Sequence, residues 1–259
     1  MTDLTTVILV TFVAGAATGV GALPVFFRAE VSHRTYDAAL GLAAGVMVAA
    51  SMFGLIVPGM EEGSLAVVVA GVFAGGAFLL VANRLIPHFH AQYLGLVGEG
   101  GADDETALTP TIRRAVLVGA AITLHNAPEG LAIGVGYASG LEEVALVLAI
   151  VIAIQNVPGG FAFAVPFGET GISRTKLLAY TTLSGVVPQV AAAVAGFLFV
   201  AVFEGLFPFA AGVAAGAMLA VVFREMVPSS HGHGYADAAT AAFLVGFALI
   251  VVVDTVVVI

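Results

Sequence analysis

Apolar residues in this chain follow neither the alternation of a half-exposed strand nor the three-to-four spacing of a surface helix. They run on for long stretches between brief polar breaks, and residues 146–154 and 244–253 carry no polar side chain at all. A bilayer core of about 30 Å needs roughly 20 mostly apolar residues per helix, and an outer-membrane strand would alternate polar with apolar. The pattern therefore predicts an all-α integral membrane protein of eight transmembrane helices, near 4–27, 36–58, 64–86, 112–137, 142–167, 177–203, 206–228 and 236–259. One connection is long, 87–111, and its stretch Gly98-Glu99-Gly100-Gly101-Ala102-Asp103-Asp104-Glu105 predicts a mobile loop. The remaining breaks are short, so neighbouring helices should be antiparallel within a single polytopic domain.

Composition sharpens this reading. Of 259 residues 60% are hydrophobic and 10% charged, with a mean hydropathy of +1.10, against roughly 25% charged residues in a soluble domain. A net charge of −9 with a single lysine excludes a nucleic-acid binder. Without cysteine, a metal must be held by imidazole, carboxylate, amide or water. The basic residues Arg28, Arg34, Arg84, Arg113, Arg114, Arg174, Lys176 and Arg224 fall at alternate polar breaks, and Asp3, Glu61, Glu62, Glu142, Glu143 and Glu204 at the others. Basic residues mark the cytoplasmic side, so both termini are expected outside and 87–111 inside. The opening Met1-Thr2-Asp3 lacks the positive region of a signal peptide, and its apolar stretch is longer than a cleaved one.

Two internal repeats emerge on self-comparison. Gly41-Leu-Ala-Ala-Gly45-Val-Met47-Val-Ala49 recurs as Gly212-Val-Ala-Ala-Gly216-Ala-Met218-Leu-Ala220, in the second and seventh helices. His125-Asn126-Ala127-Pro128-Glu129-Gly130 in the fourth recurs as Gln155-Asn156-Val157-Pro158-Gly159-Gly160 in the fifth. Each pair joins helices of opposite direction. The expected plan is 3+2+3, with helices one to three inverted relative to six to eight, as in alternating-access transporters.

The fourth-helix motif concentrates the chemistry. His125 and Glu129 lie about halfway along their helix, where ionisable groups are expensive and functional by default. Four residues apart, they share one face. Pro128 donates no amide hydrogen and frees the carbonyl near Leu124 at the same depth. Gln155 and Asn156 bring two more donors from the fifth helix. Asn126 and Asn156 have a second use open to them, satisfying backbone groups that the prolines expose. No His-Glu-x-x-His pair, Gly-x-Ser-x-Gly elbow or phosphate-binding glycine loop is present, which argues against an enzyme, and no nucleotide-binding domain is present to drive transport.

These motifs, together with Leu85-Ile86-Pro87-His88-Phe89-His90 and the Gly212–Met218 run, resemble the ZIP (Zrt/Irt-like) divalent-metal transporters, in their bacterial-type branch. The resemblance implies a carrier moving a divalent transition-metal ion towards the cytoplasm across the plasma membrane. It places metal binding on His125, Asn126, Glu129, Gln155 and Asn156. Zn²⁺ is the leading cargo, with Fe²⁺, Mn²⁺, Co²⁺ and Cd²⁺ open, and the metal is transported rather than a resident cofactor. The lipid bilayer is the other partner, and a homodimer is admitted but not required. Two departures stand out. The fifth helix reads Gly159 where the family has glutamate, and the sixth reads Ser184-Gly185-Val186-Val187 followed by Pro188 and Gln189, so ligands are expected to be missing at Gly159 and Pro188. Asn83 and Arg224 stand where an aspartate and a histidine are expected. A reduced, mononuclear site follows, and with it a rival reading as a non-transporting metal sensor or structural partner. His88, His90, Glu225, His231 and His233 are candidate metal contacts at the cytoplasmic exit, His33 is assigned nothing, and Asp254 is read as an outer-end residue of helix eight.

Overall fold

The computed structural model describes residues 3–27, 32–98, 110–168, 170–203 and 205–257, with backbone alone at 85–98 and 110–123. Every regular element among the described residues is helical. The long helices are α1 (Leu4–Val20), α2 (His33–Glu62), α3 (Leu65–Gly98), α4 (Pro110–Ala138), α5 (Glu142–Gly168), α6 (Arg174–Val202), α7 (Phe207–Ser230) and α8 (Ala236–Val257). Six of the described stretches are long and apolar enough to cross a membrane, in α2, α3, α5, α6, α7 and α8, while α1 is a shorter apolar helix. The exterior agrees: Phe73, Phe78, Leu244, Val245 and Val252 are exposed, as side chains facing hydrocarbon should be.

Two boundaries depart from the hydropathy pattern. The first apolar run divides into α1 and a short turn, Leu23–Phe26, because Gly21 crosses α5 so closely that a Cβ there would lie 2.1 Å from the Val157 carbonyl. The connection expected at 87–111 is shorter at its start, since α3 continues to Gly98. Residues 87–97 include Phe89, Ala91, Tyr93, Leu94 and Leu96, which continue a helical pattern, whereas the glycine-rich run begins only at Gly98. The loop expected to be mobile, including Asp103, lies outside the described residues from 99 to 109.

Glycine and alanine seams set the packing. Gly41 and Gly45 of α2 meet the backbone of Ala239 and Phe243 in α8, so these helices run parallel. Gly71 and Gly75 of α3 meet Phe209 and Val213 in α7 in the same sense. Gly130 and Gly134 of α4 lie against Gln189 and Ala193 of α6, and Gly160 of α5 against Thr18 of α1. A Cβ at Gly160 would stand 1.8 Å from the Thr18 carbonyl, closer than any side chain permits. Helices joined by short turns run antiparallel, as α4 and α5 do through Gly140 at φ 85°. The helices gather into two bundles, α1/α4/α5/α6 and α2/α3/α7/α8, which meet chiefly where α2 packs on α5 and α7 on α4. These directions bring Arg34, Arg84, Arg174, Lys176 and Arg224 to one end, and the start of α1 and the end of α8 to the other.

Each of α2 and α7 is interrupted by a π-helical turn, Met52–Ile56 and Val222–Met226. The cause is the same in both. A proline stands two residues on, Pro58 or Pro228, and cannot donate to the helical ladder, so the preceding turn widens: Val57 N–H reaches the Met52 carbonyl and Val227 N–H the Val222 carbonyl. The extra residue re-aims the side chains that follow, which matters for Glu225.

Candidate functional site

Glu129 sits at the centre of the α1/α4/α5/α6 bundle with 3% of its surface exposed. A carboxylate so placed must have its acceptors filled. Gln155 Nε2 of α5 donates to Oε1 at 2.7 Å, and Gln189 Nε2 of α6 donates to Oε2 at 2.7 Å. Asn156 Nδ2 in turn donates to Gln189 Oε1 at 3.2 Å and to the Ala14 carbonyl of α1 at 2.8 Å. Gln155 Oε1 is buried with no hydrogen-bond partner among the described residues. Two helices, α5 and α6, thus converge on the α4 carboxylate with neutral amides.

One turn along α4, His125 faces the other bundle. Its Nε2 pairs with Glu225 Oε2 of α7, whose Oε1 accepts from Asn83 Nδ2 of α3 at 2.6 Å. His125 and Glu225 are each partly buried and lie where the two bundles meet. A cation arriving between Glu129 and His125 would meet the Glu129 carboxylate with the amides of Gln155 and Gln189 and, one helical turn along α4, the His125 imidazole with Glu225 behind it, a donor set of intermediate softness suited to first-row dications. Among the described residues no three His, Asp or Glu side chains converge as a ready-made cage.

The remaining expected residues are distributed as follows. Asn126 Nδ2 donates to the Ser184 carbonyl at 3.0 Å, the group whose helical partner is removed by Pro188. Asn156 Nδ2 reaches the Ala14 carbonyl of α1 at 2.8 Å, although residue 18, four further along, is threonine and no proline has freed that group. Gly159 has nothing within 4 Å of a would-be Cβ, so the place of the family's glutamate is open space. On the sixth helix the polar contact comes from Gln189, one residue beyond Pro188. Sequence reasoning noted Gln189 without assigning it a role; an amide in an apolar helix directly after proline was the signal.

The cytoplasmic-exit group is not one cluster. Glu225 leaves it for His125, re-aimed by the π-helical turn. His231 caps its own helix, its Nδ1 lying 2.9 Å from the Val227 carbonyl and 3.0 Å from Ser230 Oγ. His233 turns instead to Asp37, a fully buried residue of α2, with Nδ1 2.8 Å from Oδ1. The His33 ring, assigned no role from the sequence, stacks on His233 with centroids 4.5 Å apart. The His88 and His90 side chains lie outside the described residues. Asp37 was missed altogether; its spacing of four from His33 was the available clue.

A helical bundle with an apolar exterior and a carboxylate held among amides at its centre has the build of a multi-pass membrane transport protein. The comparisons agree. The family described as "ZIP Zinc transporter" matches residues 98–254. Zinc transporter GufA of Myxococcus xanthus is 37% identical over 95% of this chain and 97% of its own length. Zinc transporter ZIPB of Bordetella bronchiseptica is 36% identical over 93% and 77%, and zinc transporter ZupT of Corynebacterium glutamicum 32% identical over 74% and 76%. The chain belongs to the ZIP family, in its bacterial-type branch. It is a multi-pass membrane protein, of the plasma membrane in a bacterium.

Proposed function

We propose that the protein carries a divalent transition-metal ion, zinc first among them, across the membrane towards the cytoplasm by alternating access. The observation that carries this reading is Glu129, a carboxylate buried deep in an apolar bundle with both oxygens presented to side chains of other helices. The ion binds one at a time between Glu129 and His125, with Gln155 and water completing its shell. Asn126 and Asn156 hold the helices around it. All eight long helices span the bilayer, with the arginine-bearing end in the cytoplasm and both termini outside.

The pairing of helices supports an inverted 3+2+3 plan. Exchanging α1 with α6, α2 with α7, α3 with α8 and α4 with α5 turns the α2/α8 seam into α7/α3, the α4/α6 seam into α5/α1 and the two boundaries between bundles into one another. It also maps one π-helical turn onto the other. Movement of one bundle against the other opens the site to alternate sides. Fluxes of Zn²⁺, Mn²⁺ and Fe²⁺ into sealed proteoliposomes test the reading, with folded Glu129→Ala as the control. Uptake above empty lipid that Glu129→Ala removes sustains it.

Gly159 and the lack of a three-ligand cage among the described residues favour a second reading, a non-transporting metal sensor or structural partner. Zinc binding by folded, inserted protein without any flux under an imposed gradient selects it.

A further inference from the structure

The two amides on Glu129 are held differently. Gln155 ends the chain of hydrogen bonds, with its Oε1 left over. Gln189 is itself fixed: Asn156 donates to its Oε1, and Asn156 is anchored on the Ala14 carbonyl. An unbroken relay therefore runs from the α1 backbone through α5 and α6 to the carboxylate on α4. Gln189 is fully buried, and the Cα of Gly130, next to Glu129, packs on its backbone. An amide suits this position in the relay because it accepts from Asn156 and donates to Glu129 at once without carrying charge. An ionised carboxylate at 189 has no hydrogen to give, so it would set two anions face to face where water is excluded.

We propose that Gln189 is a positioning residue for the ion-binding carboxylate. It locks Glu129 in the orientation that meets the ion without adding a charge, so that the ion binds firmly enough to be captured and loosely enough to be released. This rests on the reading that Glu129 receives the transported ion. It goes beyond that reading by assigning the balance between capture and release to a neutral side chain on α6.

The experiment is zinc uptake by proteoliposomes containing wild type, Gln189→Glu, Gln189→Met and Asn156→Ala, with zinc dissociation constants of the same purified proteins from calorimetry. Gln189→Glu should lower KM about tenfold and lower kcat with it, because a second anion holds the ion too well. Gln189→Met keeps the length and removes the amide; losing a hydrogen bond to a charged group should raise KM by about tenfold while kcat stays within about twofold. Asn156→Ala should move KM in the Met direction by less. A residue that only fills space would alter the yield of folded protein and leave KM, kcat and dissociation constants unmoved in the folded fraction. That result, in a wild type that carries zinc, overturns the inference and leaves the transport reading standing. Absence of wild-type flux with dissociation constants in the order Glu, wild type, Met defeats the transport reading and sustains the clamp.

Discussion

Helices α4 and α5 contain the same Asn-x-Pro turn, yet one places a carboxylate at the centre of its bundle and an imidazole at the boundary with the other, and its counterpart offers an amide and a glycine. What they share is structural. Asn126 and Asn156 each leave their own helix to serve a backbone carbonyl of a partner, Ser184 on α6 and Ala14 on α1. What differs is charge: His125 and Glu129 stand opposite Gln155 and Gly159. The asparagines tie neighbouring helices together through backbone carbonyls, one of them freed by Pro188, whereas a charged ligand is needed only once if one ion is carried at a time. The contrast separates the part of the motif that builds the bundle from the part proposed to meet the ion.

Neutralising α4 to match α5 should have the largest effect. Glu129→Gln should reduce zinc uptake to the empty-lipid background while the protein remains monodisperse, because no carboxylate is left in the α1/α4/α5/α6 core to compensate a dication. Charging α5 to match α4 comes next. The open space at Gly159 admits a side chain, so Gly159→Glu should fold and lower the zinc KM by about tenfold. An unchanged KM in folded protein would mean that position 159 does not face the ion.

The overall helical character was legible because lipid leaves a spanning backbone few alternatives to helix, and that demand is written as long apolar runs. The doubled Asn-x-Pro turn was legible because prolines and amides are rare at such depth. The pairing of His125 with Glu225 was not legible. It depends on a π-helical turn, which shifts every later side chain of α7, and hydropathy is blind to one inserted residue. Gln189 went unassigned for another reason: a neutral amide declares its role only through its partners, and Glu129 lies 60 residues away in sequence. Asp37 and His233 are further apart still, at 196 residues.

Outside the α4/α5 contrast the expected effects are smaller and fall on stability rather than transport. His233→Ala removes the hydrogen bond to buried Asp37, whose Oδ2 already has no partner among the described residues, and should destabilise by about 1–3 kcal/mol. Thermal melting should register the loss, with uptake per folded molecule unchanged. Smallest of all is the cap of α1. Exposed Asp3 accepts the Thr6 N–H at 2.8 Å, and this backbone hydrogen bond holds its carboxyl below the ordinary aspartate value. A depressed value in the folded state means that the cap contributes above the unfolded pKa and is lost as pH falls through the folded one. Asp3→Ala should therefore differ slightly from wild type in melting at neutral pH and match it in strong acid.

The glycine seams have a mechanical consequence. Where the α-carbon of one helix rests on the carbonyl of another, as Gly45 does on Phe243, Gly75 on Val213, Gly130 on Gln189 and Gly160 on Thr18, axial sliding would drive main chain into main chain before a whole turn had passed. Such pairs behave as toothed beams, stiff along their length. Among the described residues the faces joining α2 to α5 and α7 to α4 lack continuous teeth of this kind, so the proposed movement of one bundle against the other meets least resistance there. His125 and Glu225 face each other across one of those two smooth faces, so the proposed displacement of the beams would first be felt there, as the parting of a single hydrogen bond.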